Sequence, residues 1–315
     1  MRFDLLVDPR ADGAYFADTL SVARAELLLH APTCEPAVIE HPMFTRLRVD
    51  APREALPTLA RLSFVQGIFA VDGEHLTVES AEPAHRLPAA LVYGAKYRGK
   101  THEILTLLAL NVARATCTVP VETPLKVLDP MAGRGTTLLW AARLGWSATG
   151  IERQTGAVAD FQRHVKKQCK LHRIKHKETR GTVGRKGRGG AGAFARYRFE
   201  DQAIRLITGD ARATQPLLQG ERFPLIVSDL PYGIQHKRDD GWRDPTATLR
   251  ACAPDWAARL APGGSMVLSF NAFLPKREVL VRLFTEAGLQ LHPFRAPHRM
   301  SESILRDLAV FTKPA

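Results

Sequence analysis

The sequence predicts an α/β protein: a mostly parallel sheet covered by helices on both faces, preceded by a small α+β unit. Three observations predict it. From Leu125 onward, short and almost wholly apolar segments each end in an acid: KVLD129, ATGIE152, IRLITGD210 and PLIVSD229, followed by MVLSF at 266–270. Continuous apolar strands separated by helical stretches are what a sheet buried on both faces requires. The acids also recur at a βα repeat: 23 residues separate Asp129 from Glu152 and 19 separate Asp210 from Asp229. The interval from Glu152 to Asp210 is 58 residues, and taking out one 36-residue basic segment leaves 22. That segment reads as an insertion into a regular fold.

The elements follow in order. Phe3 to Val7 is an apolar start, Tyr15 to His30 has a helical pattern, and Phe44 to Val49 is strand-like. A second helical pattern runs from Pro52 to about Gln66, before strand candidates at Ile68–Val71 and Leu76–Val78. This alternation predicts a split βαβ, ferredoxin-like unit over residues 1–85, with a boundary at Pro83 to Pro88. Residues 90–315 then form the larger domain, interrupted by the basic Gly-rich insertion at 163–200. Thr101 to Ala113 is an amphipathic helix with Ile104, Leu107, Leu108 and Val112 on one stripe. Leu289 to Arg295 and Leu305 to Lys313 read as two strands joined too closely for a helical crossover, so they should pair antiparallel.

Charge sharpens the insertion. The chain of 315 residues carries 44 Lys and Arg against 32 Asp and Glu. Between Arg163 and Arg198 lie 13 bases and one acid, Glu178, while the other 279 residues hold 31 of each sign. A uniformly basic protein is excluded; a neutral body with one cationic segment points to a polyanion met at a defined place. Arg163 to Lys177 is expected to continue the helix after Glu152, with Lys166, Lys170, Arg173 and Lys177 at helical spacing. Gly181 to Gly192 has six glycines in twelve residues and is expected to lack a fixed conformation, acting as a phosphate-binding arm. Lys166, Lys167, Lys170, Arg173, Arg185, Lys186 and Arg188 are the candidate contacts to that polyanion. Cys169, His172 and His176 share a helical face, but without a second cysteine pair and amid positive charge no metal site is expected. The chain shows no apolar run long enough to span a membrane, no signal-peptide pattern at MRFDLLVDPR and no disulfide framework among its four cysteines. A soluble protein of a reducing, cytoplasmic compartment is expected.

In an open parallel sheet, ligands bind beyond the carboxyl ends of the strands. After Asp129 comes Pro130-Met131-Ala132-Gly133-Arg134-Gly135-Thr136, a glycine turn opening a helix, where backbone N–H groups can approach a ligand beside the positive helix terminus. Glu152, followed by Arg153, is placed to accept from ribose hydroxyls, and Asp210, followed by Ala211, to accept from an adenine amine. Any one of these acids could be a simple turn former. Four in register point to a nucleoside ligand.

The sharpest motif is Ser228-Asp229-Leu230-Pro231-Tyr232-Gly233. It resembles the Asp/Asn-Pro-Pro-Tyr signature of S-adenosylmethionine-dependent amino-methyltransferases. With Leu230 in place of the first proline, it is similar to the THUMP-associated tRNA guanosine-N2 methyltransferases. The resemblance extends to Asp129–Thr136 as the donor-binding motif, to Glu152 and Asp210 as the next two acidic positions, and to the terminal hairpin as strands six and seven. Ala23-Arg-Ala-Glu26-Leu-Leu and Arg61-Leu-Ser-Phe-Val65 look like degenerate versions of segments near the THUMP module, although about 85 residues is short for both a ferredoxin-like domain and that module.

The resemblance implies a class I (Rossmann-like) methyltransferase fold, with a seven-stranded sheet and an antiparallel terminal hairpin. It also implies S-adenosyl-L-methionine as cofactor and RNA, tRNA before other kinds, as partner. Asp229, Leu230, Pro231 and Tyr232 would be catalytic, and Asp129, Pro130, Met131, Ala132, Gly133, Gly135, Thr136, Glu152, Arg153, Asp210, Ala211 and Asp229 would line the cofactor site. Independently of the family, an aromatic amine is a poor nucleophile because its lone pair is delocalised. A carboxylate and a backbone carbonyl accepting from both N–H bonds would free that lone pair, with Tyr232 stacking on a flipped base.

Other readings remain: the same chemistry on rRNA, a DNA amino-methyltransferase, or a non-enzymatic RNA-binding module. A nucleotide hydrolase is a further one, because Gly94-Ala-Lys-Tyr-Arg-Gly99-Lys100-Thr101 fits a P-loop pattern. A P-loop requires a core strand before it. Lys96, Arg98 and Lys100 could otherwise face RNA phosphate.

Overall fold

The computed structural model describes residues 1–79, 85–95, 97, 100–120, 124–184, 191–231 and 245–315. The N-terminal region runs β1 (Arg2–Val7), α1 (Arg10–Tyr15), α2 (Thr19–His30), β2 (Ala37–His41), β3 (Phe44–Asp50), α3 (Leu56–Leu59), β4 (Val65–Asp72) and β5 (His75–Glu79). Its strands form one antiparallel sheet in the order β2-β3-β1-β4-β5, the split βαβ arrangement with a hairpin strand added. Alternation along β1 and β3 puts Phe3, Leu5, Leu47 and Val49 into the core beneath α2.

Three expectations fail here. The helix read from Tyr15 is two helices, because Phe16 adopts φ 51° and the chain takes a 3₁₀ turn over Phe16–Asp18. Past Leu59 the segment to Gln66 is not helical; it turns, and β4 takes over at Val65. β2 has no counterpart among the expected strands: its residues are exposed or half-buried and carry little apolar signal.

After α4 (Ala90–Tyr93) and α5 (Glu103–Thr116), the larger sheet is built from β6 (Lys126–Asp129), α6 (Thr136–Arg143), β7 (Ser147–Glu152), α7 (Thr155–Leu171), β8 (Lys177–Val183), β9 (Gly192–Arg198) and β10 (Ala203–Thr208). It continues through α8 (Thr214–Leu218), β11 (Phe223–Asp229), α9 (Pro245–Arg259), β12 (Leu260–Asn271), α10 (Arg277–Glu286), β13 (Gln290–His292), β14 (His298–Ser301) and β15 (Ile304–Thr312). The strand order is β13-β15-β12-β11-β6-β7-β10-β9-β8, with β14 on β15. β10, β7, β6, β11 and β12 are mutually parallel, and β15 runs antiparallel between β12 and β13 as the closing hairpin requires. Helices α5, α6 and α7 cover one face, and α9 and α10 the other. The core on the α5 side is continuous with that of the N-terminal sheet. Of the expected Pro83–Pro88 boundary, residues 83 and 84 lie outside the described residues; within it, Arg86 N–H donates to Arg143 O at 2.7 Å. No helix among the described residues is long and apolar enough to cross a membrane. All four cysteines are buried free thiols.

The basic segment departs most from expectation. Its helix ends at Leu171, not Lys177, and Arg173 breaks the spiral with φ 52°. The remainder is no loose arm at Gly181 or Gly192: β8 and β9 pair antiparallel from Lys177↔Arg198 to Val183↔Gly192, and β9 pairs with β10. The hairpin adds two strands to the expected seven, and β14 on β15 brings the sheet to ten. Tyr197 and Ala195 alternate inward, with the Tyr197 ring edge-on to Phe161 of α7. Glycine at 192 permits close packing, since a Cβ there would clash with Thr208 O.

Candidate active site

The four acids meet on one edge of the sheet. β6, β7 and β11 end in Asp129, Glu152 and Asp229, and Asp210 follows β10 by two residues. A cavity of about 210 Å³ opens beyond this edge, and every residue assigned to a cofactor lines it except Gly135. Gly135 acts from behind: it starts α6 at φ +77° and lies so close to Phe161 that a Cβ would meet the ring at 2.5 Å.

The acids differ in their surroundings. Asp129 is fully buried, accepting from Ser228 Oγ at 2.7 Å and Met131 N–H at 3.1 Å, so it ties the glycine turn to β11. Burial pushes its carboxyl up to about 6 against these hydrogen bonds. Glu152 accepts from Gly133 N–H at 2.8 Å and Gln154 N–H at 2.7 Å. Those two bonds fix the carboxylate while leaving further lone pairs for a diol. Gly133 at φ +53° makes that turn possible. Asp210 is clamped by Arg212, whose backbone N–H donates at 2.8 Å and whose Nη2 at 2.6 Å, and this guanidinium holds its carboxyl below the usual range. An adenine amine would therefore share Asp210 with Arg212.

Asp229 is held by Thr101, which the sequence marked only as the end of a P-loop-like stretch, and by Arg306, which no motif marks. Thr101 Oγ1 donates to its Oδ2 at 2.5 Å, and Arg306 Nη2 of β15 lies 3.7 Å from the same oxygen. Arg306 is 4% exposed; burial lowers its pKa and the Asp229 charge opposes that. The following turn is pinned where Leu230 N–H donates to Ser269 O at 2.8 Å, with the Leu230 side chain in the core. The Leu230 side chain is thus packing, and only its backbone can serve a substrate. Pro231 lines the cavity; Tyr232 lies outside the described residues.

Thr101 belongs to the stretch that fits the P-loop pattern. There the preceding Ala90–Tyr93 is a helix, not a strand, and Lys100 Nζ is spent on Val92 O, Ala95 O and Glu103 Oε1 at 2.8, 3.0 and 2.6 Å. Lys100 is thus committed to its own segment; Lys96, Arg98 and Gly99 of the pattern lie outside the described residues.

Of the candidate RNA contacts, Lys166, Lys167 and Lys170 are exposed on α7 and Arg173 just beyond it, while Arg185, Lys186 and Arg188 lie outside the described residues. Lys166 Nζ is 3.4 Å from Glu178. Cys169 is buried in α7, whereas His172 and His176 are exposed beyond its end. Among the described residues no group of three or more His, Cys, Asp or Glu is arranged to hold a metal.

No protein-family model matches the sequence, and no curated protein matches it. Solved structures do. TrmN from Thermus thermophilus aligns with a TM-score of 0.51 at 15% identity, over 99% of this chain and 99% of that one. A TehB-like SAM-dependent methyltransferase from Corynebacterium glutamicum aligns at 0.39 with 16% identity, over 61% of this chain and 82% of its own. An rRNA methylase from Streptococcus thermophilus aligns at 0.38 with 12% identity, over 62% of this chain and 90% of its own. The whole-length likeness to TrmN, together with the strand order, shows that the chain has the class I methyltransferase fold.

Proposed function

We propose that the chain transfers a methyl group from S-adenosylmethionine to an exocyclic base amine of RNA, and that the amine is guanine N2 in tRNA. The observation that carries this is the Asp229 carboxylate, fixed by Thr101 at the rim of the cavity that Glu152 and Gly133 shape. The donor supplies an electrophilic methyl group on a sulfonium whose sulfur leaves as a neutral thioether. Glu152 would accept from the ribose hydroxyls, with the turn at Gly133 alongside. Asp229 and a backbone carbonyl of the Leu230-Pro231 turn would accept from the two N–H bonds of the base, so that the nitrogen lone pair points at the methyl carbon. Asp229 would then take the proton that the methylated nitrogen sheds. Arg306 lies beside Asp229 but outside the cavity lining, with its Nη2 3.7 Å from the carboxylate.

Two features support RNA. The hairpin joins the sheet so that Val183 and Gly192 lie level with the carboxyl end of β10, the strand that leads to Gly209 and Asp210 of the cavity. The second is the Ser228–Gly233 motif, similar to that of the THUMP-associated tRNA guanosine-N2 methyltransferases, in a chain whose whole length aligns with TrmN.

The donor half is tested by calorimetry. S-adenosylmethionine should bind one-to-one, and Glu152→Ala should weaken it by about tenfold or more, the loss expected for charge-assisted hydrogen bonds. An unchanged affinity would remove Glu152 from the donor site.

A further inference from the structure

The hairpin has two faces, and they differ in charge balance. On the α7 side, Glu178 takes Arg180 at 2.8 Å and Lys166 at 3.4 Å, and Asp160 takes Arg163 at 3.4 Å. The opposite face follows from the register. One rung carries Lys177, Arg198 and Ala203 across β8, β9 and β10; the next carries Thr179, Arg196 and Arg205. Nearer the cavity this face is covered: Val183 is buried, and Leu217 of α8 lies where a Cβ at Gly192 would meet it at 3.0 Å. Beyond α8 it is open, and Lys177, Arg196 and Arg198 are all exposed.

Neighbouring strands lie about 4.8 Å apart and alternate residues about 6.6 Å apart, so four cations crowd into two rungs. Lys177 faces Arg198 directly, and Arg196 faces Arg205. Like charges directly opposite one another destabilise a sheet. Arg205 has an acid, Glu221 at 2.5 Å. Lys177, Arg196 and Arg198 have none within 4 Å among the described residues. Such a patch is balanced by an anion from outside, and three fixed cations on a rigid strand pair suit a row of phosphates.

We infer that the open face of the β8–β9–β10 sheet edge, through Lys177, Arg196 and Arg198, is a docking surface for the RNA phosphate backbone. This rests on the RNA methyltransferase reading and adds to it a surface distinct from the lysines of α7. The pairing is with phosphate, so this surface sets position and affinity, and base identity is read elsewhere.

The test is a salt titration of RNA binding with the full chain and bulk tRNA, comparing wild type with the combined K177Q, R196Q and R198Q variant. The slope of log affinity against log salt should fall by about 2 to 3, since each neutralised phosphate contributes about 0.7 to 0.9, with binding at physiological salt weakened at least tenfold. S-adenosylmethionine affinity should be unchanged, and the melting temperature unchanged or higher. The combined R196K and R198K variant should keep the wild-type slope. If wild type methylates RNA but the glutamine variant keeps the same slope, this surface is wrong and the enzymatic reading stands. If the lysine variant loses the slope as well, phosphate pairing is not the cause and the inference fails. If wild type methylates no RNA, the enzymatic reading fails and takes this surface with it.

Discussion

Asp229→Ala is expected to lower methyl transfer by about a thousandfold, within the range for removing a positioned proton acceptor, while S-adenosylmethionine affinity stays within about threefold. The asymmetry follows from position. Asp229 ends β11 and its Oδ2 is anchored by Thr101, while Glu152 ends β7, separated from β11 by β6. Removing it takes away an acceptor for the base amine and leaves the Glu152–Gly133 clamp intact. Asp229→Asn keeps the shape and one acceptor but not the charge, so it should retain about tenfold more activity than the alanine variant. Single-turnover methylation with calorimetry in parallel measures both quantities. Loss of donor binding together with activity would place Asp229 in the cofactor site and leave the amine without its acceptor.

Glu26→Ala is expected to destabilise the chain by about 3 kcal/mol or more, because it strands several buried donors at once. Glu26 of α2 is wholly buried. It accepts from Ser63 N–H at 3.0 Å, Ser63 Oγ at 2.5 Å and Asn111 Nδ2 of α5 at 2.8 Å, which joins the N-terminal unit to the larger domain. Burial pushes its carboxyl from 4.5 to about 7 against those bonds. An acid whose folded pKa is raised binds its proton more tightly folded than unfolded, so stability is highest below the unfolded value and falls as pH rises toward the folded one. For Glu26 that window runs from about pH 4.5 to 7 and carries about 3 kcal/mol. Asp129, raised from 3.8 to about 6, adds a fall that is complete sooner. Between about pH 6 and 7.5 Asp129 adds little further fall, while the histidines held below 6.5 by burial, His30 and His85 among them, add stability as pH rises, so Glu26 is isolated by difference: relative to wild type, the melting temperature of Glu26→Gln should rise with pH there. A pH profile parallel to wild type would mean that Glu26 does not titrate in that range.

How much of this was legible in the sequence depended on whether a signal was local. The strands ending in Asp129, Glu152 and Asp229 were readable because burial on both faces demands unbroken apolar runs. The closing hairpin was readable because its connection is too short for a crossover. The residues holding Asp229 were not, since Thr101 and Arg306 lie 128 residues before it and 77 after it in the chain and meet it only in the folded sheet, where β12 alone separates β11 from the β15 strand of Arg306. The β8–β9 hairpin was hidden by composition. Six glycines and a run of bases argued for an unstructured arm, yet Phe194-Ala-Arg-Tyr-Arg-Phe199 alternates with period two, and Ala195 and Tyr197 are buried while Arg196 and Arg198 are exposed. That alternation was the available signal. The helix read through Tyr15–His30 failed for the opposite reason, since one left-handed residue, Phe16, interrupts an otherwise continuous apolar pattern.

Everything proposed for the site depends on the methyl acceptor being a base amine in RNA. The direct test is incubation of the protein with methyl-labelled S-adenosylmethionine and total tRNA, rRNA or DNA in separate reactions, followed by digestion and identification of the labelled nucleoside. The expected product is labelled N2-methylguanosine in tRNA. Label on a ribose or a ring carbon, label in DNA alone, or no label in any nucleic acid would contradict the proposed chemistry.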